Sequence, residues 1–265
     1  MKNAICAIAF AVGLGLTSLV PGAASADRIP SDPYHSPMWE HVASEFLPGK
    51  IVMSDKVKVF APADAEDNFQ VPIAVDATEL GDVEEIVLIA DQNPIPGILR
   101  FLPKKAKPYL ATRIKLNEAS VVHAAARTTD GTWHVGGVYV DAAGGGCTAP
   151  AIAVADGTWA DHLNEVQARV WSKEDGSDRM RFRIIHPMDT GLSGTIPAFY
   201  LDELRLADAE GNLLAEILPF EPVSENPVFT LEVAAGAIYR DGYGLEGRDN
   251  NGNTLDVRVN RSAFR

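Results

Sequence analysis

The chain has 265 residues, of which 46% are hydrophobic and 22% are charged. This composition predicts a packed globular protein and excludes a disordered one. The formal net charge of −13 argues against binding to nucleic acid or to an anionic membrane surface, because both need a basic face. Two cysteines, Cys6 and Cys147, are too few for a disulfide-rich scaffold or for a Cys-based zinc or iron–sulfur site.

Residues 1–26 have the pattern of a secretory signal peptide. Lys2 supplies a positive charge, residues 4–20 are mostly apolar, and Ala24-Ser25-Ala26 offers small residues for cleavage. A transmembrane anchor is the alternative, but the apolar run is short, contains glycines and lacks a basic flank. We therefore expect an exported protein, periplasmic in a bacterium, in which Cys147 is the one cysteine left after cleavage.

A short helix is predicted at residues 38–47. Ser36 is a suitable cap, and Pro37 suits the first helical position. One face of this helix is apolar, formed by Trp39, Val42, Ala43 and Phe46.

The remaining chain has strand patterns in two groups. Before residue 144 the predicted strands are 57–60, 70–75, 83–90, 109–116, 120–127 and 133–140, the last two joined by an Asp130-Gly131 turn. After residue 161 they are 166–171, 180–184, 202–206, 213–218, 228–233, 237–246 and 255–259. Each group has the size and turn spacing of an immunoglobulin-like sandwich. The fold class predicted is all-β, with two immunoglobulin-like β-sandwich domains in tandem and one short N-terminal helix.

Gly144, Gly145, Gly146 and Cys147 form a distinctive segment between the two groups. Free cysteines are often small buried hydrophobes, but the preceding alanines and glycines bury little apolar area. Three consecutive glycines also cost backbone entropy when they are ordered, so the segment is expected to be mobile. A mobile arm that ends in one nucleophile suits a carrier of covalent cargo.

Other chemical motifs are weak in this sequence. The six histidines have no metal-ligand spacing, and no P-loop, dinucleotide-binding or Gly-x-Ser-x-Gly motif occurs. His186 and Met188 with Cys147 form a soft donor set of the kind that copper prefers, although nothing in the sequence places them together. His123 and His134 flank the predicted hairpin and are best interpreted as ordinary strand residues. No cofactor and no metal site are predicted.

The residues around Cys147 carry a resemblance to a known family. The chain resembles quinoprotein dehydrogenase-associated SoxYZ-like carriers, in which SoxY-like and SoxZ-like sulfur-carrier domains are fused. The SoxY resemblance covers residues 37–149 and ends in Gly144-Gly145-Gly146-Cys147. The SoxZ resemblance covers residues 162–265, including the segment 185–191 and the turn 249–252.

The resemblance implies a domain organisation and a role. It implies a SoxY-like sandwich at residues 27–143, a Gly-rich cysteine arm and linker at 144–161, and a SoxZ-like sandwich at 162–265 that pairs with the first. Cys147 is then the attachment point for sulfur intermediates, and the three glycines are the swinging arm. The protein is then a carrier and no enzyme, and its partners are periplasmic sulfur-oxidation enzymes or a quinoprotein dehydrogenase system.

Two alternatives stay open at the sequence level. In one, the chain is a non-covalent binding or assembly module for a quinoprotein dehydrogenase, and Cys147 is incidental. In the other, it handles copper. Substitution of Cys147 by serine separates the carrier from the binding module, because only the carrier needs the thiol.

Overall fold

The computed structural model describes residues 28–150, 158–194, 196–234 and 242–260. The predicted signal peptide, residues 1–26, lies outside the described residues. Within them, no helix has the length and apolar character needed to cross a membrane. Their α-helix, α1 (Trp39–Phe46), confirms the predicted N-terminal helix.

Eight strands precede the Gly-rich segment. They are β1 (Ile51–Met53), β2 (Lys58–Phe60), β3 (Val71–Asp76), β4 (Val83–Ala90), β5 (Gly97–Leu102), β6 (Ala106–Ile114), β7 (Ser120–Thr128) and β8 (Trp133–Val140). A 3-10 turn at Thr78–Leu80 links β3 to β4. The sequence patterns missed β1 and β5, which are a short strand and a strand that follows a Pro-rich loop.

Among the described residues, seven strands follow the Gly-rich segment, after a 3-10 turn at Thr158–His162. They are β9 (Val166–Ser172), β10 (Asp178–Ile184), β11 (Leu201–Ala207), β12 (Leu213–Pro219), β13 (Val228–Val233), β14 (Tyr243–Asp249) and β15 (Thr254–Val259). The predicted strand 237–246 is observed from Tyr243, and residues 237–241 lie outside the described part. The all-β prediction is confirmed.

The strands form two sheets that face each other. The nine-stranded sheet has the order β1-β8-β7-β4-β5-β12-β11-β14-β15, and the six-stranded sheet has the order β2-β3-β6-β13-β10-β9. The alternating burial of β10, in which Met180 and Phe182 are buried between exposed arginines, shows how one face of each sheet points into the sandwich. The residues between the two sheets form a single continuous apolar core.

Both sheets run without a break from the first half of the chain into the second. In the larger sheet, β5 pairs with β12, with Phe101 opposite Ile217. In the smaller sheet, β6 pairs with β13, with Leu110 opposite Leu231. The two halves therefore share main-chain hydrogen bonds in both sheets, and they also share one apolar core. The division at residues 143 and 162 stays a prediction.

Helix α1 covers part of the outer face of the nine-stranded sheet. Its buried residues Trp39, Val42 and Ala43 pack on outward-facing residues of β4, β7 and β8, among them Val87 and Trp133. This satellite core explains why β4 and β7 are buried on both faces, whereas the outer face of the six-stranded sheet has no such cover among the described residues.

Candidate functional site around Cys147

The Gly-rich segment lies against the loop that follows β6. The amide of Gly145 donates to the carbonyl oxygen of Asn117 at 2.9 Å, and the amide of Gly146 donates to that of Leu116 at 3.0 Å. These two bonds resemble a short stretch of sheet pairing. They fix the backbone of the segment on the end of the sandwich.

The absence of side chains at the glycines permits this close approach. A Cβ atom on Gly146 would stand far inside van der Waals distance of the carbonyl oxygens of Asn68 and Leu116. Gly144 and Gly145 have φ angles of +106° and +89°, which side-chain-bearing residues rarely adopt. The side-chain amide of Asn68 also donates to the carbonyl oxygen of Gly144 at 2.9 Å.

The second half of the chain holds the other side of the segment. The hydroxyl of Thr190, in the loop after β10, donates to the carbonyl oxygen of Cys147 at 2.6 Å. Thr148 donates to the side chain of Asn117 at 3.2 Å on the first-half side. The cysteine is thus clamped between the two halves.

The thiol of Cys147 is completely buried. Its Sγ atom lies 3.7 Å from the carbonyl oxygen of Lys115, the geometry of a weak S–H donor. The same carbonyl oxygen accepts a hydrogen bond from the side-chain amide of Asn93 at 2.9 Å. Burial raises the pKa of Cys147 to about 12, and the ammonium of Lys115 only partly opposes this shift. In this conformation the sulfur is protonated and poorly nucleophilic.

Lys115 is a buried cation next to the cysteine, and sequence reasoning missed it. Only 3% of its surface is exposed, and its ammonium donates to the carbonyl oxygen of Met188. Burial lowers the pKa of Lys115, although Cys147 and the carboxylate of Asp189 favour its charge. The sequence contained one clue, a lysine placed between Ile114 and Leu116 at the end of an apolar strand.

In this structure the segment is docked, whereas the sequence predicts a mobile arm. Cys147 is fully buried, and the hydrogen bonds of its thiol and its carbonyl oxygen are made with residues far away in sequence, Lys115 and Thr190. The less specific interpretation of Cys147, a buried small hydrophobe, therefore matches the conformation described. The assignment of Gly144, Gly145 and Gly146 as a swinging arm stays a prediction.

The residues considered for copper lie in one region, but two of their donor atoms already accept hydrogen bonds. Nδ1 of His186 accepts from the amide of Met188 at 3.1 Å, and Sδ of Met188 accepts from the amide of Leu201 at 3.3 Å. Nε2 of His186 lies 3.5 Å from Oδ2 of Asp249. Among the described residues, no group of three or more His, Cys, Asp or Glu side chains is placed to hold a metal ion.

His123 and His134 do not meet across their hairpin. Their partners in the register are Gly137 and Ala126, respectively. His123 is fully buried between two carboxylates, with Nδ1 2.9 Å from Asp91 and Nε2 3.2 Å from Asp32. This cluster ties the segment before α1 to the sheet, so the prediction of an ordinary strand histidine understated the role of His123.

A cavity of about 420 Å³ borders the loop after β10, in which Met188 contacts Lys115 and Thr190 contacts Cys147. Its lining is mainly apolar and includes Trp159, Leu163, Pro187, Ile196 and Phe199. Asp189, between the residues that contact Lys115 and Cys147, is the charged residue among the described residues of this lining. The loop is therefore shared by the cysteine and this cavity.

Comparison with known proteins gives a match that coincides with the first half and the cysteine. Residues 43–147 match the family model of the sulfur oxidation protein SoxY. The match ends at Cys147. We refer to these residues as the SoxY-like region, and the family model does not extend into the second half of the chain.

Among solved structures, the chain is similar to the sulfur carrier protein SoxY from Chlorobium limicola f thiosulfatophilum. The identity is 21%, and the alignment covers 39% of this chain and 93% of that chain with a TM-score of 0.34. A match at this TM-score does not establish a shared fold. No curated protein matches the chain.

Proposed function

We propose that the protein is a carrier that holds a sulfur-containing intermediate covalently on Cys147 and presents it to partner enzymes of sulfur-compound oxidation. The observation that carries this proposal is the family match, which spans residues 43–147 and ends at the cysteine. The predicted signal peptide supports a periplasmic location. The resemblance to fused carriers supports a setting alongside a quinoprotein dehydrogenase system.

The docked segment is one of two conformations that a carrier needs. The hydrogen bonds that hold it include two from glycine amides and one each from Asn68 and Thr190. A typical intramolecular hydrogen bond contributes about 1 kcal/mol net, so release of the segment costs a few kcal/mol. Glycines that bury little apolar surface keep this cost low. Local opening of this size occurs routinely in folded proteins.

The cargo is loaded onto Cys147 when the Gly-rich segment is released from its docked position. A thiolate attacks one sulfur of an S–S bond, the new bond joins that sulfur to Cys147, and the other sulfur group leaves with the electron pair. The proton of the thiol goes to solvent or to the partner's base. Because Cys6 lies in the predicted signal peptide, the exported chain has no second thiol to displace the cargo. The partner enzyme therefore has to unload it.

The second half of the chain helps to hold the Gly-rich segment in its docked position. Its loop at Met188 and Thr190 contacts both Lys115 and Cys147, so the docked state needs the two halves together. This supports the predicted internal pairing of a SoxY-like and a SoxZ-like half. Because Thr148 and the whole second half follow the arm, it is tethered at both ends. Its reach is therefore limited.

The test is the intact mass of the protein purified from its native compartment, before and after reductant. A reductant-removable adduct that maps to Cys147, and that is missing in Cys147→Ser, is expected. Cys147→Ser keeps the size of the side chain and serves as the matched variant. A thiol that is unmodified in cells oxidising sulfur compounds, and that stays unreactive towards partner enzymes, contradicts the proposal.

A second candidate function is a non-covalent assembly module in which Cys147 is structural. The complete burial of its thiol favours this candidate. The two candidates differ in one measurement. Growth or sulfur-compound turnover that depends on the protein is lost in Cys147→Ser if it is a carrier, and is retained if it is an assembly module.

A further inference from the structure

The outer face of the six-stranded sheet concentrates positive charge on an acidic protein. The register brings Arg181 of β10 opposite Arg169 of β9, and Arg183 follows two residues later on the same face. Arg113 of β6 points out of the same sheet on the other side of β13. We call these four residues and the trough between them the arginine face.

These arginines lack the partners that other cations of the same sheet have. Lys58 pairs with Glu79, and both Lys107 and Lys173 pair with Glu232. None of the four arginines forms an ion pair with a carboxylate of the described residues. Like charges directly opposite each other on neighbouring strands destabilise a sheet, as Arg169 and Arg181 do here. Arg169 also lies over the ring of Trp171, 5.8 Å from its centroid, but no carboxylate of the described residues offsets the repulsion between the two arginines. We therefore look outside the chain for the use of this arrangement.

A shallow apolar trough crosses the middle of the arginine face. Its floor consists of small outward residues from three adjacent strands, namely Ala74, Ala111 and Thr230, which lie in one row. Phe60 of β2 forms one wall and is 54% exposed, and Val228 lies towards the arginine side. The volume of the trough is about 510 Å³, enough for one or two apolar side chains. Strands from both halves of the chain build it.

We propose that the arginine face is a docking surface for an acidic segment of a partner protein. An apolar side chain of the partner occupies the trough beside Phe60, and flanking carboxylates bind Arg113, Arg181 and Arg183. Guanidinium groups suit this role because they bind carboxylates with two parallel hydrogen bonds. The rest of a chain of net charge −13 repels an acidic partner, so charge both steers the partner to this face and sets its orientation.

The arginine face also lies next to the end of the sandwich that holds Cys147. Arg113 precedes Lys115 by two residues, and the carbonyl oxygen of Lys115 contacts Sγ of Cys147. The residue that opposes Arg113 on β3 is Pro72, close in sequence to Asn68, which holds the Gly-rich segment. A partner docked on the face is thus adjacent to the end of the sandwich where the segment is released. The docking itself needs no thiol, so it goes beyond the carrier proposal.

The test uses a short fluorescein-labelled peptide with a central leucine flanked by glutamates, titrated with the full chain and followed by anisotropy. The double variant Arg113→Glu/Arg181→Glu is expected to weaken binding about tenfold, because two favourable charge pairs are replaced by repulsion between like charges. Phe60→Ser is expected to weaken binding of this peptide, but not of one with alanine in place of leucine. Arg205→Glu/Arg258→Glu, a double charge reversal at two exposed arginines of the other sheet, is the matched control and is expected to bind as the unmodified chain does.

Three results overturn the proposal. The first is equal weakening by Arg205→Glu/Arg258→Glu, which shows an effect of net charge alone. The second is stronger binding of vesicles containing phosphatidylglycerol than of the peptide, lost in the same double variant, which assigns the face to lipid. The third is a dimer of the unmodified chain in light scattering that the double variant abolishes, which assigns the face to a second copy. Cys147→Ser is expected to bind the peptide normally, so failure of the carrier proposal is distinguishable from failure of this one.

Discussion

The Sγ atom of Cys147 lies 3.7 Å from the main-chain oxygen of Lys115, and the buried ammonium of the same residue bonds to Met188 in the other half of the chain. One residue therefore contacts the thiol, spans the junction of the halves and supplies the nearest positive charge. The state of the thiol is consequently coupled to how the segment docks. Docking of the Gly-rich segment and the charge of Lys115 affect the thiol separately, and the first two predictions test one effect each.

The first prediction concerns Gly146. A methyl group on Gly146 collides with the carbonyl oxygens of Asn68 and Leu116, which are main-chain atoms and cannot move aside cheaply. Gly146→Ala is expected to release the segment. Because release returns the thiol pKa from about 12 towards the ordinary value, alkylation by iodoacetamide at pH 8 is expected to rise at least about tenfold.

The matched control for this substitution is Gly244→Ala on β14. Gly244 also has a negative φ, and a Cβ atom there meets no other atom. Its alkylation rate is expected to equal that of the unmodified chain. An unchanged rate in Gly146→Ala, with folding intact by circular dichroism, contradicts the docked geometry of the segment.

The second prediction concerns the charge of Lys115. Its ammonium lowers the thiol pKa within the docked state, opposing burial. Lys115→Met keeps the length of the side chain and removes the charge, so alkylation at pH 9 is expected to slow about two- to fivefold. The substitution acts in the opposite direction to Gly146→Ala. Lys105→Met, at an exposed lysine, is the control, and faster alkylation in Lys115→Met shows that the lysine acts by holding the segment in place.

The third prediction concerns the buried cluster of His123 with Asp91 and Asp32. Asp91→Asn keeps the size of the side chain and replaces the buried carboxylate that contacts Nδ1 of His123 at 2.9 Å by an amide. Leaving a buried hydrogen-bonding group without its partner typically costs about 1–3 kcal/mol. The free energy of unfolding in urea is expected to fall by about this amount, with the alkylation rate of Cys147 unchanged.

The comparison for this loss is an exposed pair of similar chemistry. His41 and Glu45 lie 3.7 Å apart on α1, with side chains 64% and 53% exposed. Glu45→Gln is expected to change the unfolding free energy by less than about 0.5 kcal/mol. Equal effects of the two substitutions rule out a stabilising role of the His123 cluster.

Much of the fold was predictable from local patterns. The apolar face of α1 and the alternation of β10 each specify both an element and the side that it buries. Strand β5 was not predicted because it follows Asn93-Pro94-Ile95-Pro96, a run that predicts a turn. The pairing of β5 with β4 and β12 makes it a strand. The continuity of the sheets across the halves is likewise a property of pairing, which periodicity does not reveal.

The site was less predictable than the fold. The sequence singled out Cys147 and its glycines, but the groups that hold the segment in place belong to Asn68, Leu116 and Thr190, which are remote along the chain. Lys115 resembled an ordinary strand residue, because a sequence does not show which face of a strand end is covered. Composition predicts that glycines can move, whereas their docking depends on close approach to the carbonyl oxygens of other loops.

The last prediction concerns the pH dependence that His186 imposes on stability. Burial lowers the pKa of His186 to about 4, although the carboxylate of Asp249 opposes the shift. In the unfolded chain the imidazole has an ordinary pKa of about 6.5. Below pH 6.5 the unfolded state therefore binds a proton that the folded state does not. The stabilising contribution is present above pH 6.5 and is lost as the pH falls towards 4, by about 3 kcal/mol at most.

His186→Gln removes this titration and is expected to flatten the dependence. Carboxylates elsewhere also destabilise the fold in acid, so the quantity to compare is the difference in unfolding free energy between pH 7 and pH 4.5, measured in urea. This difference is expected to be smaller in His186→Gln than in the unmodified chain. It is expected to be unchanged in His41→Gln, whose imidazole is exposed on α1. An equal pH dependence in the unmodified chain and His186→Gln shows that His186 titrates alike in the folded and unfolded states, which contradicts the lowered pKa.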